Sequence, residues 1–150
     1  NLPGQPNEGF WLEPIVACAL YEAGKDLITD LVFPLSWLHL RRQEDQGTFP
    51  RTELDAALRW RNSFLAVSCK ANFPDEEHYW SARDEVIGVA RTNLGRFCLP
   101  ILVGPVPYMG KSVSDVSERL LEIPLRLLAD WDYLRNAIDN YIQQQRTTAG

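Results

Sequence analysis

The sequence predicts an α/β domain with a central mixed sheet flanked by helices, and three observations carry that reading. Two neighbouring segments, 53–61 and 63–70, alternate apolar and polar residues with the two-residue period of a strand. A third, Phe97–Val103, is apolar throughout at strand length, the signature of a strand covered on both faces. Helical periodicity runs between and beside these segments, so the two element types are interleaved rather than segregated.

In chain order, Phe10–Tyr21 (FWLEPIVACALY) is apolar almost all round, which predicts a helix covered on most sides and closed by Gly24. Pro14 fits only in a first turn, so the helix starts close to Trp11 or kinks there. Leu31–Leu40 is rich in strand formers, and Arg41–Pro50 (RRQEDQGTFP) reads as a polar loop or hairpin tip. Segments 53–61 and 63–70 then pair as a hairpin. A two-residue loop at Arg61 and Asn62 opposes Leu58 to Leu65, Ala56 to Val67 and Leu54 to Cys69, gathering apolar residues on one face. A one-residue slip would oppose apolar to polar along the whole ladder. The favoured register opposes Asp55 to Ser68 and Glu53 to Lys70 on the other face.

Asp75 caps a helix over 76–92 whose buried face holds Tyr79, Ala82, Val86, Val89 and Ala90, and Gly95 stops it. Phe97–Val103 leads into a Pro/Gly-rich loop at Gly104–Gly110, and Ser112 with Asp115 resembles a capping box for a helix ending near Glu122. Ile123–Leu128 reads as a short strand that Pro124 confines to an edge, and Trp131–Gln143 as a last amphipathic helix. One domain spans residues 1–150, with 1–8 and 143–150 as flexible ends.

The formal net charge of −5 is unevenly spread. Residues 1–40 hold five acids and one lysine, residues 41–96 nine charges of each sign, and residues 97–150 six acids and five basic residues. That balance excludes a broad basic surface for tight nucleic-acid binding by this domain alone. Only Lys25, Lys70 and Lys111 are lysines, against twelve arginines, so a lysine is a less generic choice here. Cys18, Cys69 and Cys98 show no CxxC or Cys/His metal spacing and read as free buried thiols of a reducing cytoplasm. No apolar run approaches the roughly 18 residues of a membrane span, and the first residues lack a signal-peptide pattern.

Asp55 on one strand and Lys70 at the end of its neighbour are the residue types that metal-assisted phosphodiester hydrolysis needs. A carboxylate holds a hard divalent cation through oxygen, and a lysine orients water or screens charge. The backbone carbonyl of Cys69 is a further ligand candidate. The same two residues also read as a cross-strand ion pair with no catalytic role. Glu13, the one acid of its apolar segment, either caps the helix start, reaches solvent, or faces a cation shared with Asp55. His39 and His78 read as a strand residue and a solvated helix residue. Trp60, Phe64, Tyr79 and Trp80 read mostly as core.

Four pieces, GFWLE at Gly9–Glu13, ELD at Glu53–Asp55, VSCK at Val67–Lys70 and LGRFCLPILV at Leu94–Val103, stand in an order that resembles the PD-(D/E)XK, or restriction-endonuclease-like, nuclease domain. The resemblance is strongest to the C-terminal nuclease domain of CARF-containing CRISPR ancillary nucleases. It implies a metal-binding Asp (Asp55), a helix Glu (Glu13) and a catalytic Lys (Lys70), with weakly bound magnesium or manganese. It also implies cleavage of DNA or RNA by the effector domain of a nucleotide-regulated antiviral defence protein, associated with a ligand-sensing domain and acting as a homodimer.

This sequence departs from the pattern at Ser68, where the family has Glu, removing one negative charge from the metal site. Glu53, Asp84 or Glu85 are possible substitutes, although helical phase turns Asp84 and Glu85 about 130° or more from the packed face. Arg41, Arg42, Arg59 and Arg61 are candidate phosphate contacts. The alternative function is a degenerate nuclease fold that serves dimerisation or nucleic-acid docking without catalysis.

Overall fold

The hairpin forms in the expected register and organises the sheet. In the computed structural model, which describes residues 11–32, 35–38, 51–95, 97–105 and 120–149, β4 (Ala56–Trp60) pairs antiparallel with β5 (Ser63–Cys69). Ala56 opposes Val67 and Leu58 opposes Leu65, across a two-residue turn that puts Arg61 in the left-handed region at φ 54°. On one side β1 (Ile28–Val32) pairs antiparallel with β4; on the other, β6 (Cys98–Gly104) and β7 (Leu121–Pro124) follow β5 in parallel. The five-stranded order is β1-β4-β5-β6-β7. Helix α1 (Leu12–Gly24) and α3 (Trp131–Ala149) cover one face, and α2 (Glu76–Asn93) covers the other. The fold is the mixed α/β sheet with helices on both faces that the sequence predicts.

The first hairpin strand is not continuous. It breaks at Asp55 into β4 and β3 (Arg51–Leu54), and β3 pairs with β2 (Leu35–Leu38) in a separate two-stranded sheet. The break shifts the alternation by one residue. Ala56, Leu58 and Trp60 enter the core under α1 and α3, whereas Leu54 enters the core under α2. Leu54 therefore does not meet Cys69, and the register position opposite Glu53 is Ser36. The strand expected over Leu31–Leu40 is likewise two, β1 and β2.

Proline explains how β6 stays central. Pro100 cannot donate to a ladder, but β7 begins to pair only at Ile101, and the Pro100 carbonyl accepts from the Tyr141 hydroxyl at 3.3 Å instead. Pro124 sits at the end of the edge strand β7, as expected, but the strand starts earlier, at Leu121, so no helix reaches Glu122. The loop Arg41–Pro50 and the expected helix start at Ser112 and Asp115 lie outside the described residues, as does His39.

Helix α2 buries Tyr79, Ala82, Val86, Val89 and Ala90, and its Asp75 cap accepts from the His78 N–H at 2.9 Å. His78 is exposed, whereas Phe64 and Trp80 are more exposed than a core reading allows. Helix α3 runs on to Ala149, beyond the end at Gln143 that the sequence predicts. The Thr147 and Thr148 hydroxyls donate back to the carbonyls of Gln143 and Gln144, at 3.0 and 2.9 Å, as second donors one turn earlier in the helix. Helix α1 starts at Leu12 with Pro14 in its first turn, but it is not covered all round. Trp11, Ile15, Cys18 and Tyr21 are exposed, so Cys18 is not one of the buried thiols.

One contact fixes how α1 meets the sheet. A Cβ on Gly24 would lie inside 3.0 Å of the indole of Trp60, which is fully buried and donates its Nε1–H to Asp139 of α3 at 2.9 Å. Gly24→Ala should therefore cost about 1–3 kcal/mol through overpacking. Gly88 is the control: it lies in the interior of α2, where a Cβ meets nothing within 4 Å, so Gly88→Ala should gain about 1 kcal/mol in helix propensity. Thermal unfolding of both variants, with opposite signs in Tm, checks the pair.

Candidate functional site

Asp55 stands where the hairpin breaks, and its side chain takes over from the ladder. Its N–H donates to the Val67 carbonyl at 3.1 Å. Its carboxylate Oδ2 accepts from the Cys69 N–H at 2.6 Å and from the Ser68 hydroxyl at 3.3 Å. Lys70 follows at the carboxyl end of β5, where its N–H donates to the Val103 carbonyl at 2.9 Å and so ties it to β6. Asp55 and Lys70 are thus held at one sheet edge, the carboxyl ends of the parallel strands, where α/β sheets commonly place ligands.

Glu13 lies in the first turn of α1, on the face where Cys69 is packed. Each of the three charges bears on Cys69. Burial first, then the Asp55 carboxylate and its hydrogen bond, push the Cys69 thiol far above its ordinary range; Glu13 adds to the push and Lys70 opposes it. All three charges therefore act on one buried thiol, which stays protonated and unreactive. Ser68 approaches from the other side, since its register partner Leu102 belongs to the core under α2. Cys98 is also buried, and that burial pushes its thiol up to about 12.

The remaining candidates separate from this edge. Asp84 and Glu85 are exposed, while Ala82, Arg83, Val86 and Ile87 around them are buried, so α2 turns both acids away from the sheet. Arg59 and Arg61 sit at the hairpin turn, the opposite end of the sheet. At the rise of a strand, Arg61 is about 20 Å along from Asp55. Arg59 lies 5.8 Å over the Phe64 ring, and Arg61 Nε pairs with Asp139 at 3.3 Å. Glu53 is in β3 by its backbone, and Arg41 and Arg42 lie outside the described residues.

Asp55, Glu13 and the Cys69 carbonyl are hard oxygen donors, the chemistry of a magnesium or manganese ion that keeps several waters and borrows substrate phosphates. This is the donor set that would hold such an ion. It does not make a closed cage: among the described residues, no three His, Cys, Asp or Glu side chains are grouped to hold a metal.

A second polar cluster has no counterpart in the sequence reading. Arg83 is 2% exposed, and its Nη1 donates to Glu122 of β7 at 3.2 Å and to the Tyr79 hydroxyl at 3.1 Å. The Tyr79 hydroxyl donates to Glu122 as well, and the Arg83 guanidinium stacks 4.9 Å over Trp80. Register puts Glu122 in the row Ser68, Leu102, Glu122, two strands from Ser68. The available signal was Arg83 itself, a charge falling inside the apolar stripe of a helix between Tyr79 and Val86.

Neither a protein-family model nor a curated protein sequence matches the chain. Solved structures do. Protein VC1899 from Vibrio cholerae matches at a TM-score of 0.64 with 17% identity, over 89% of this chain and 33% of that one. Can2 from Sulfobacillus thermosulfidooxidans, solved in complex with cyclic tetra-adenylate, matches at 0.61 with 14% identity, over 89% of this chain and 36% of that one. At these identities the likeness is one of fold, and the chain spans about a third of the length of either neighbour.

The buried cluster makes two predictions. Arg83→Met removes the buried guanidinium that bonds both Glu122 and the Tyr79 hydroxyl and should cost about 3–5 kcal/mol, whereas removing both charges with Arg83→Met/Glu122→Leu should cost much less; urea unfolding measures both. Burial first, then the Glu122 bond, raise the Tyr79 hydroxyl above its ordinary value. A raised group stabilises the fold below its unfolded pKa of about 10 and loses that contribution as pH climbs through the folded value. Stability should therefore fall above about pH 10, and Tyr79→Phe should flatten the decline.

Proposed function

We propose that the chain is a divalent-metal-dependent nuclease domain that hydrolyses phosphodiesters of DNA or RNA. The observation that carries this reading is the fixed sheet edge at which Asp55, anchored by Cys69 N–H and Ser68, stands beside Lys70, with Glu13 acting on the same buried thiol. Asp55, Glu13 and the Cys69 carbonyl would hold the cation. Bound magnesium or manganese supplies a more acidic water and draws charge from the phosphate. Lys70 offsets the carboxylates and presents a proton donor to the phosphate oxygens. Asp55 needs no reorientation, because two donors already fix its Oδ2.

The net charge of −5 opposes a polyanion, so substrate must be gripped elsewhere. With Arg59 and Arg61 at the far edge, that role falls to Arg41 and Arg42 or to a partner. The fold shared with Can2, which binds cyclic tetra-adenylate and is nearly three times as long as the matched domain, supports a regulatory scheme. In it, a nucleotide-sensing domain controls this one within a CRISPR-linked antiviral defence protein. Among the described residues no helix is long and apolar enough to cross a membrane.

Ser68 in the place of a carboxylate supports a second reading, a nuclease fold kept for docking without turnover. One assay separates the two. The chain is incubated with single- and double-stranded DNA and RNA, with and without manganese. Manganese-dependent cleavage that Asp55→Ala abolishes and Glu13→Gln reduces is the expected outcome; cleavage undiminished in Asp55→Ala removes the site from the mechanism. Ser68→Glu should tighten manganese about tenfold by restoring one ligand charge, measured by isothermal titration.

A further inference from the structure

The sheet puts a second cation beside the candidate site. The parallel strands β5, β6 and β7 end at one edge, where Lys70 follows Cys69 and Pro124 stands opposite Gly104. Arg126 comes two residues after Pro124, in the single 3₁₀ turn Leu125–Leu127. That turn is held from both sides. The Leu128 N–H donates to the Leu125 carbonyl at 3.2 Å and the Asp130 N–H to the Leu127 carbonyl at 3.1 Å. Leu128 is buried in the core under α1 and α3, and Leu125 packs against it. Arg126 between them is exposed, so its side chain leaves the fold at a fixed point.

Leu12 and Pro14, the residues on either side of Glu13, line one hollow with Arg126 at the start of α1. Arg126 therefore stands on the α1 side of the sheet, the side on which Glu13 and Cys69 lie. Two strand spacings, about 10 Å, separate the ends of β5 and β7. A sugar-phosphate chain laid across this edge with one phosphate at Lys70 would bring a following one within reach of Arg126. A guanidinium binds two phosphate oxygens at once.

The other arginines with described side chains are engaged or distant. Arg61, Arg83 and Arg135 are held in ion pairs by Asp139, Glu122 and Asp26. Arg59 lies over Phe64 near the hairpin turn, and Arg91 is in the last turn of α2, which leads back to the start of β6. Arg146 lies about two turns beyond Asp139, which already reaches the hairpin turn. Asp130 and Asp132 share a surface hollow with Arg126, but Asp130 accepts the Tyr133 N–H as the cap of α3. Among the described residues, no carboxylate forms an ion pair with Arg126.

We propose that Arg126 grips a backbone phosphate of bound nucleic acid, next to the phosphate that Lys70 faces. The assignment rests on the nuclease reading for which phosphate lies at Lys70; the contact itself is one of charge and serves docking without turnover equally.

Fluorescence anisotropy of fluorescein-labelled DNA and RNA oligonucleotides with the 150-residue chain tests this, in EDTA so that nothing is cleaved and over a series of salt concentrations. Arg126→Ala should weaken binding about fivefold at low salt and make the slope of log Kd against log salt shallower by about one unit, the share of one phosphate contact. Arg126→Lys, which keeps the charge, should keep the slope. Arg146→Ala, at the opposite end of the sheet, should leave both affinity and slope as in the wild type, and circular dichroism verifies that each variant is folded. A slope unchanged in Arg126→Ala, or lowered as much in Arg146→Ala, overturns the assignment, as does a wild type that binds neither oligonucleotide. A parallel incubation with manganese keeps the two readings apart. Cleavage together with an unchanged slope in Arg126→Ala overturns the assignment alone, whereas a lowered slope without cleavage upholds it and removes hydrolysis.

Discussion

The structure turns on the carboxylate of Asp55. A hairpin whose first strand breaks while its partner runs on leaves an N–H of the longer strand without a ladder acceptor, and a buried unpaired N–H is costly. Asp55 supplies the acceptor, taking the Cys69 N–H at 2.6 Å and the Ser68 hydroxyl as well. The break is what lets β3 leave the main sheet and carry Leu54 to the α2 side. It also holds the end of β5 rigid, so that Lys70 emerges in a defined place beside β6. The bond that stabilises the bend is therefore the one that orients the candidate site.

Two anchors let the helices share in that order. On one face, Gly24 admits the Trp60 ring, and Asp139 of α3 accepts from both Trp60 and Arg61, tying α1, α3 and the hairpin turn together. This contact fixes the carboxyl end of α1 against the hairpin end of the sheet. On the other face, Arg83, Tyr79 and Glu122 tie α2 to the edge strand β7. Tyr79 also meets Phe73 edge-on, 5.4 Å between ring centroids, and so braces the loop that leaves Lys70. Both clusters join elements through side-chain hydrogen bonds: the first lies partly in solvent, and the second is buried, with Arg83 Nη1 bonded to Glu122 and Tyr79.

Much of this was legible in the amino-acid sequence, for identifiable reasons. The register of β4 on β5 followed from alternation, because only one pairing keeps Leu58, Leu65, Ala56 and Val67 together. The buried face of α2 and its Asp75 cap followed from phase and position, and the same phase spoke against Asp84 and Glu85, which are exposed. The break at Asp55 was hidden, because the alternation reads continuously through it and nothing local says that Leu54 will change faces. The open side of α1 was hidden as well: an all-apolar helix looks the same whether its outer face meets its own fold or a second molecule. Arg83 was missed because a charged residue in an apolar stripe is read as an imperfection until its partner, Glu122, is brought from 39 residues away. Of the site, the residue types, including Glu13 at the start of α1, and the position of Asp55 beside the end of β5 were legible; the bond from the Cys69 N–H to the Asp55 carboxylate was not.

The proposed nuclease function requires a divalent cation at the end of β5, held by Asp55 and Glu13. Manganese titrated into the ¹⁵N-labelled chain and followed by paramagnetic broadening of amide signals tests it directly. The Cys69 and Lys70 amides, with those at the start of α1 around Glu13, should broaden first and should stop doing so in Asp55→Asn. Broadening that begins instead at the acidic first turn of α2, around Glu76 and Glu77, and persists in Asp55→Asn would contradict the account.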